Sequence, residues 1–205
     1  MIAIIDYGLG NIRAFANVYK IFNIPFKIAS DKKDLLNVTK IILPGVGAFD
    51  YAMERIKKSG MQEMLTDLVL QRKTPVLGIC VGMQILAMSS EEGKQKGLGW
   101  IDGEVKRFNT SALAQTTMLP HMGWNSVIPT KDDKLFKELE IGSRFYFLHS
   151  YYFHCHHSND VIAETNYGGL FTSAVKFGNI YGVQFHPEKS HKFGLQIFRN
   201  FANLS

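Results

Sequence analysis

The sequence has only two cysteines among its 205 residues, Cys80 and Cys155, and they lie far apart in different contexts. A chain of this size with two distant cysteines and no secretory signal does not have the pattern of a disulfide-stabilised scaffold. Each thiol is therefore expected to be either chemically reactive or simply buried.

Long apolar runs are also missing. No run approaches the roughly 20 residues that a membrane-spanning helix needs. The first residues, MIAIIDYG, lack the basic start and long apolar centre of a signal peptide. Low-complexity segments, internal repeats and linkers are absent as well. We therefore expect a soluble cytoplasmic protein folded as one domain over residues 1–205.

The chain carries a formal net charge of +5, but its lysines are dispersed in short clusters and are not interleaved with aromatic residues. Nucleic-acid binding needs basic residues concentrated on one face. The charge therefore fits an acidic partner protein or an anionic metabolite better than a nucleic acid.

Short, uniformly apolar runs alternate with helical patterns in the first half of the chain, as buried parallel strands do in an α/β protein. The predicted fold is an open, mostly parallel, doubly wound sheet flanked by helices. After about residue 100 the pattern becomes rich in strands, which predicts added antiparallel strands and a final helix over 191–204. The predicted strands are 2–5, 26–29, 40–43, 75–79, 105–108, 143–153 and 174–185.

A candidate nucleophile lies in the sequence GICVG, where Cys80 follows an apolar strand and precedes a helix that is expected to start near Gly82. A sharp strand-to-helix turn raises such a side chain above the sheet, and small neighbours leave room for the strained backbone. The helix N-terminus favours the thiolate. The amide of Val81 is then placed to stabilise an oxyanion. A buried structural cysteine beside two packing glycines is the alternative.

A candidate base lies in the sequence QFHPE, where His186 follows the apolar strand ending near residue 183. Glu188, two residues on, is placed to orient the imidazole, as the third member of a triad does. A surface histidine beside a turn proline is the bland alternative. It is disfavoured because both the cysteine and the histidine occur at the exits of apolar strands, where the sites of open α/β sheets collect.

A third candidate is the glycine turn around Val46 and Gly47 in PGVG, at the end of the third predicted strand. Such a loop can present N–H groups to a developing negative charge, although an ordinary strand-end turn explains these glycines equally well.

These motifs, in this order, resemble the class I (triad) glutamine amidotransferases, and most specifically the glutaminase subunits of imidazole glycerol phosphate synthases. The resemblance runs almost from end to end. It rests on IDYGLGN at 5–11, LPGVGAFD at 43–50, GICVGMQIL at 78–86, PHMGWN at 120–125, HSYY at 149–152 and GVQFHPEKS at 182–190.

The resemblance implies that Cys80, His186 and Glu188 form the catalytic triad that hydrolyses glutamine. It implies that a peptide of the oxyanion loop must reorient, so that the free subunit is nearly inactive, and that no metal or organic cofactor is needed. The implied oxyanion-hole residues are Val46, Gly47 and Val81; the substrate-binding residues are Gly47, Gln84, Glu92, Ser150 and Tyr151; the partner-interface residues are Asn11, Trp124 and Lys189.

The implied partner is similar to a (β/α)8-barrel cyclase, which forms a heterodimer with the glutaminase and receives ammonia for histidine biosynthesis. The main alternative keeps the chemistry but changes the recipient to a sugar amidotransferase of surface-polysaccharide biosynthesis. A glutaminase acting alone, a γ-glutamyl peptidase and a non-enzymatic binding module are weaker alternatives. PHMGWN and Lys189, which resemble docking features, argue against the first two, and the complete triad argues against the last.

Two further patterns do not predict a site. In a strand, His154 and His156 share a face while Cys155 and His157 point away, so three metal ligands do not converge there. Gly8 and Gly10 before a helix resemble a dinucleotide fingerprint, but its third glycine is missing.

Overall fold

The structure, a computed structural model, describes residues 1–109, 118–140 and 142–204. In its first half, strands alternate with helices, as the apolar runs predict. The strands are β1 (Ile2–Ile5), β2 (Phe26–Ala29), β3 (Lys40–Gly45), β4 (Val76–Cys80) and β5 (Ser89–Ser90), and the helices are α1 (Ile12–Ile21), α2 (Phe49–Lys58), α3 (Gln62–Thr66) and α4 (Val81–Gln84). A π-helical turn, Asp67–Gln71, continues α3.

The second half consists mainly of strands and ends in one long helix. The strands are β6 (Gly103–Arg107), β7 (His121–Ser126), β8 (Ile128–Pro129), β9 (Arg144–His149), β10 (Tyr151–Cys155), β11 (Val161–Asn166), β12 (Leu170–Phe177) and β13 (Ile180–Val183), and α5 spans His191–Ala202.

Within the described ranges, eleven strands form one sheet, and its central path runs β2-β1-β3-β4-β13-β12-β10-β6-β5. The neighbours from β2 to β13 pair in parallel, and β13, β12, β10 and β6 then pair antiparallel with one another. The strands β7 and β9 form a separate antiparallel pair. The predicted fold class, with antiparallel strands extending a parallel sheet, is therefore confirmed.

Several element boundaries differ by one or two residues from the sequence prediction, as at β4 (Val76–Cys80), β6 (Gly103–Arg107) and the end of α5 at Ala202, and three differences bear on how the strands are arranged. The strand β3 continues to Gly45, two residues beyond its apolar run. The predicted strand 143–153 is interrupted at Ser150, because β9 belongs to the small sheet and β10 to the large one. The predicted strand 174–185 contains a turn at Gly178, where φ is +58°, so the chain reverses between β12 and β13.

Aromatic side chains join the first and last helices. Phe15 and Tyr19 of α1 both meet the ring of Phe198 of α5 edge to face, with ring centroids 5.8 Å apart. All three rings are essentially inaccessible to solvent. Because α5 directly follows the turn that carries His186, this packing anchors that turn to the core. Of the helices in the described ranges, none has the length and apolar character needed to span a bilayer.

Candidate active site

Cys80 lies at a strained turn between β4 and α4. Its φ of +56° and ψ of −114° are unusual for a residue with a side chain. The turn also requires glycine at two positions by close approach. A Cβ on Gly82 would lie 2.0 Å from the carbonyl oxygen of Leu43, and one on Gly78 would lie 2.5 Å from that of Gly82. The strand, turn and helix thus pack with no room for side chains at these two positions.

His186 follows β13, the strand that pairs with β4, so the cysteine and the histidine leave the same edge of the sheet. Its Nδ1 donates to Oε1 of Glu188 at 2.8 Å, and both side chains are only 3% exposed. The turn is fixed by Ser190, whose Oγ donates to the His186 carbonyl at 2.6 Å and accepts from the backbone N–H of Tyr146 at 3.0 Å.

The electrostatics around His186 favour its protonated form. Burial alone would lower its pKa, but hydrogen bonds to Cys80 and Glu188 and the negative charges of both groups outweigh this and raise the pKa to about 10. The second carboxylate oxygen, Oε2 of Glu188, is buried and has no hydrogen-bond partner in the described part of the chain. The Glu188 charge is therefore directed to the imidazolium.

A buried chain of two amides ends at the cysteine. Gln84 donates from Nε2 to the Tyr151 carbonyl at 3.0 Å and to Oε1 of Gln184 at 3.1 Å. These contacts orient Gln184 so that its Nε2 lies 3.8 Å from Sγ of Cys80. Gln184 was not among the residues predicted from the sequence, although its position two residues before His186 in the same motif was a usable signal.

The catalytic and substrate-binding residues named from the sequence meet around one pocket of about 360 Å³. Glu188 does not line the pocket but is hydrogen-bonded to His186, which does. Three lining residues, Pro120, Leu148 and His149, were not predicted. The predicted residues that line the pocket are Val46, Gly47, Cys80, Val81, Gln84, Glu92, Ser150, Tyr151, His186 and Lys189.

The oxyanion loop and the start of α4 face each other across the cysteine. Gly45 is in register with Cys80, and Gly47, two residues on, adopts a φ of +87°. Val81 is the first residue of α4, so its N–H has no partner within the helix. Val46 is 40% exposed, at the pocket rim.

A pair of buried histidines lies beside the pocket. Burial lowers the pKa of His121 to about 4 and that of His149 to about 3, so both rings are neutral near pH 7. His149 Nδ1 donates to the Tyr151 carbonyl at 2.8 Å, so its Nε2 accepts from His121 Nδ1 at 3.0 Å. The pair links the β7–β9 sheet to the strand that carries Tyr151.

Two of the three expected interface residues lie outside the pocket lining. Asn11 caps α1 and accepts from the N–H of Ala14 at 3.3 Å. Trp124 stacks on His191 with centroids 5.1 Å apart and remains 38% exposed. The third, Lys189, lines the pocket and places its Nζ 5.6 Å from the centre of the Tyr146 ring.

The exposed histidines that follow β10 lie beside the carboxylate of Asp102. His156 Nδ1 and His157 Nε2 lie 2.9 Å and 3.1 Å from the two carboxylate oxygens of Asp102. Within the described residues, no group of three or more His, Cys, Asp or Glu side chains is arranged to hold a metal ion.

The family model for class-I glutamine amidotransferases matches residues 4–204. The chain is 54% identical over 204 residues to imidazole glycerol phosphate synthase subunit HisH of Leptospira interrogans and to that of Bdellovibrio bacteriovorus, covering 100% of each protein. It is 48% identical over 201 residues to subunit HisH 2 of Methanococcus maripaludis, with 98% of each chain covered.

Solved structures agree on the fold. A structure described as a glutamine amidotransferase superimposes with a TM-score of 0.76 at 18% identity and 99% coverage of both chains. The PurLQS structure from Thermotoga maritima gives a TM-score of 0.73 at 19% identity, covering 98% of this chain and 97% of that one.

Proposed function

Because the chain belongs to the class-I glutamine amidotransferase family, we propose that it hydrolyses glutamine to glutamate and ammonia as the glutaminase subunit of an imidazole glycerol phosphate synthase. The observation that carries the chemistry is the buried His186–Glu188 hydrogen bond beside Cys80, with Cys80 and His186 lining one pocket. The assignment to histidine biosynthesis rests on the 54% identity to HisH subunits along their entire length.

In the first half-reaction, the Cys80 thiolate attacks the carboxamide carbon of glutamine. The carbonyl oxygen becomes an oxyanion, which the N–H of Val81 and the peptide at Val46–Gly47 stabilise. As the tetrahedral intermediate collapses, the His186 imidazolium donates its proton to the leaving nitrogen. The C–N bond breaks, ammonia leaves, and a glutamyl thioester remains on Cys80.

In the second half-reaction, the now neutral His186 takes a proton from water as the water oxygen attacks the thioester. The C–S bond then breaks, glutamate leaves, and the thiolate–imidazolium pair is restored. Glu188 holds the ring by its Nδ1–H throughout, which keeps Nε2 directed at the reacting atoms.

The amino-acid end of glutamine is held by the opposite wall of the pocket. The Glu92 carboxylate suits the substrate ammonium group. Gln84, Ser150 and Tyr151, together with the Gly47 peptide, would contact the remaining polar atoms, and all of these residues line the same pocket.

The partner is a cyclase subunit, and we propose that it is a (β/α)8 barrel. The two subunits form a heterodimer in the cytoplasm, to which this chain contributes a single domain over residues 1–205. Asn11, Trp124 and Lys189 would contact the cyclase.

An exposed apolar face of the small sheet lies next to the pocket. Alternation along β7 puts Met122 and Trp124 on one face, and Leu148 is opposite Met122 in β9. All three are exposed, and Leu148 also lines the pocket, so this face joins the pocket mouth to a docking surface.

The alternative recipient, a sugar amidotransferase, is not favoured. The relatives that match 98–100% of this chain are imidazole glycerol phosphate synthase subunits.

The proposal is tested by measuring glutamate release from glutamine with the chain alone and with the cyclase subunit plus its ribulose-phosphate ligand. Cys80→Ala is the control for the nucleophile. We expect a low basal rate that rises by orders of magnitude with the liganded cyclase and disappears in Cys80→Ala.

Two results would contradict parts of the proposal separately. A Cys80-dependent rate that does not respond to the cyclase would exclude the histidine assignment but keep the glutaminase chemistry. Absence of any Cys80-dependent hydrolysis would exclude the glutaminase itself.

A further inference from the structure

The N-terminus of α2 and the segment 92–95 exchange hydrogen bonds in both directions. Oε2 of Glu92 accepts from the N–H of Phe49, the first residue of the helix, at 2.9 Å. In return, the carboxylate of Asp50 accepts from the N–H of Lys94 at 2.9 Å and from that of Gln95 at 3.0 Å. We call this reciprocal arrangement the Asp50–Glu92 clamp.

The clamp leaves no spare volume. A Cβ on Gly93, the residue between the two bonded parts of the segment, would lie 2.0 Å from Oδ1 of Asp50. Gln95 adds a bond from its Nε2 to the Asp50 carbonyl at 3.1 Å and accepts from Nζ of Lys57 at 2.8 Å. Segment 92–95 is thus held against α2 at two places, by Asp50 in the first turn and by Lys57 in the last turn.

The charges of the clamp match the helix terminus. Ala48, the N-cap residue, has no side-chain hydrogen bond to offer, so Glu92 satisfies an N–H that the helix leaves open. Backbone N–H groups of Lys94 and Gln95 lower the pKa of Asp50, which keeps this carboxylate ionised and accepting at neutral pH.

The clamp joins two walls of the pocket. The helix α2 starts two residues after Gly47, which lines the pocket. Glu92, which binds the N-terminus of this helix, lines the same pocket. Only Oε2 of Glu92 is used in the clamp; Oε1 has no hydrogen-bond partner among the described residues. One carboxylate oxygen therefore anchors the side chain, which leaves the other for a ligand.

We propose that Asp50 is a positioning residue for substrate: by holding segment 92–95, it directs the free oxygen of Glu92 at the ammonium group of glutamine and so sets the affinity for this amino acid. The inference rests on the proposed glutaminase function and deepens it. Asp50 acts only through Glu92, and it does not line the pocket in the described structure.

Removing the Asp50 charge is expected to weaken substrate binding without slowing the chemical step. Asp50→Asn replaces one acceptor oxygen with a donor that cannot accept from Lys94 or Gln95. We expect the KM for glutamine to rise about tenfold, the scale of one lost charge-assisted hydrogen bond, while kcat changes less than about twofold.

Gly93→Ala provides an independent way to open the same clamp, because its new methyl group would collide with Asp50 Oδ1. Gly93 does not have a positive φ, so alanine brings no backbone penalty of that kind. We expect Gly93→Ala to raise KM in the otherwise native chain but not in an Asp50→Ala background, where the space is vacant.

The experiment measures KM and kcat for glutamine with the chain complexed to its liganded cyclase, in a double-mutant cycle of Asp50→Ala and Gly93→Ala alongside Asp50→Asn. Glu54→Gln is the matched control. It lies on the same helix and pairs with Lys58, away from segment 92–95. Melting temperatures of all variants report on folding.

The clamp is supported if KM rises in each single variant, kcat stays near native, the double variant is no worse than Asp50→Ala, and Glu54→Gln is unaffected. An unchanged KM, strictly additive KM effects, or a fall in kcat without a rise in KM would overturn it while leaving the glutaminase assignment intact. Absence of hydrolysis in the native complex would overturn both.

Discussion

The nucleophile and the base are held in place by different means. On the β4 side, Cys80 is positioned by backbone geometry, with a positive φ and two glycines packed against neighbouring carbonyls. On the β13 side, His186 is positioned by the hydrogen bond that its ring donates to Glu188 and by the one that its carbonyl accepts from Ser190. The cysteine side should therefore be sensitive to added side-chain volume and the histidine side to a change of charge. Substitutions of these two types test the comparison.

The largest effect is expected from adding one methyl group on the nucleophile side. In Gly82→Ala the Cβ would lie 2.0 Å from the Leu43 carbonyl oxygen, so β3 and α4 must move apart. We expect a loss of about 3 kcal/mol in the free energy of unfolding and loss of glutaminase activity. Urea denaturation and glutamate release measure the two quantities.

Gly60→Ala is the control for this comparison, because its Cβ meets no atom within 4 Å in the described residues although its φ is +70°. It should cost only about 1–2 kcal/mol, from the backbone conformation alone. Equal costs at the two glycines would contradict the volume argument.

On the histidine side, a large effect is expected from removing a charge while the shape of the side chain stays nearly the same. Glu188→Gln keeps an acceptor for His186 Nδ1 but removes the charge that supports the imidazolium. We expect kcat/KM for glutamine to fall about a thousandfold with little change in melting temperature. Glu138→Gln, at an exposed site near α5, is the control. A loss below tenfold would show that orientation alone suffices.

The raised pKa of His186 also predicts a pH dependence of stability. Because the pKa is raised from 6.5 to about 10 on folding, the group's stabilising contribution is complete below about pH 6.5 and is lost as the pH rises through 10. Urea denaturation between pH 6 and pH 10 should show that the free energy of unfolding of the unsubstituted protein falls relative to that of the His186→Asn variant. A constant difference across this range would contradict the imidazolium assignment.

The smallest effect is expected at the amide that lies between the two sides. Gln184→Leu removes the Nε2–H group 3.8 Å from the Cys80 sulfur. We expect alkylation of Cys80 by iodoacetamide near pH 7 to slow roughly three- to tenfold, since the donor stabilises the thiolate. An unchanged rate would exclude this role.

Cys155 supplies an internal control for alkylation. Burial raises its pKa to about 12, so mass spectrometry should find it unmodified when Cys80 has reacted. Gln196→Leu, at a half-buried position of α5, is the matched glutamine substitution.

The parallel half of the fold was predictable because its strands are buried on both faces and consist almost wholly of apolar residues. The strand β7 was not, since the two alternating apolar residues of HMGWNS, Met122 and Trp124, are exposed and between them lies a glycine at a φ of +129°. Nor does the sequence mark Ser150, where the chain passes from the small sheet to the large one, because the aromatic pattern continues through it.

The same contrast holds within the site. Cys80, His186 and Glu188 stand at strand exits in motifs that imply their chemistry. Gln184 and His149 acquire their positions only through pairing with Gln84 and His121, which lie 100 and 28 residues away. Contacts of this range depend on sheet order, which local patterns do not specify.

The pairing of β4 with β13 also bears on how the protein is made. Ile79 and Val183 are neighbours in the sheet although more than a hundred residues of synthesis separate them. A nascent chain that has emerged from the ribosome only as far as β4 exposes its cysteine without the histidine. The growing polypeptide therefore cannot consume cellular glutamine before the strand that delivers His186 has been translated and inserted.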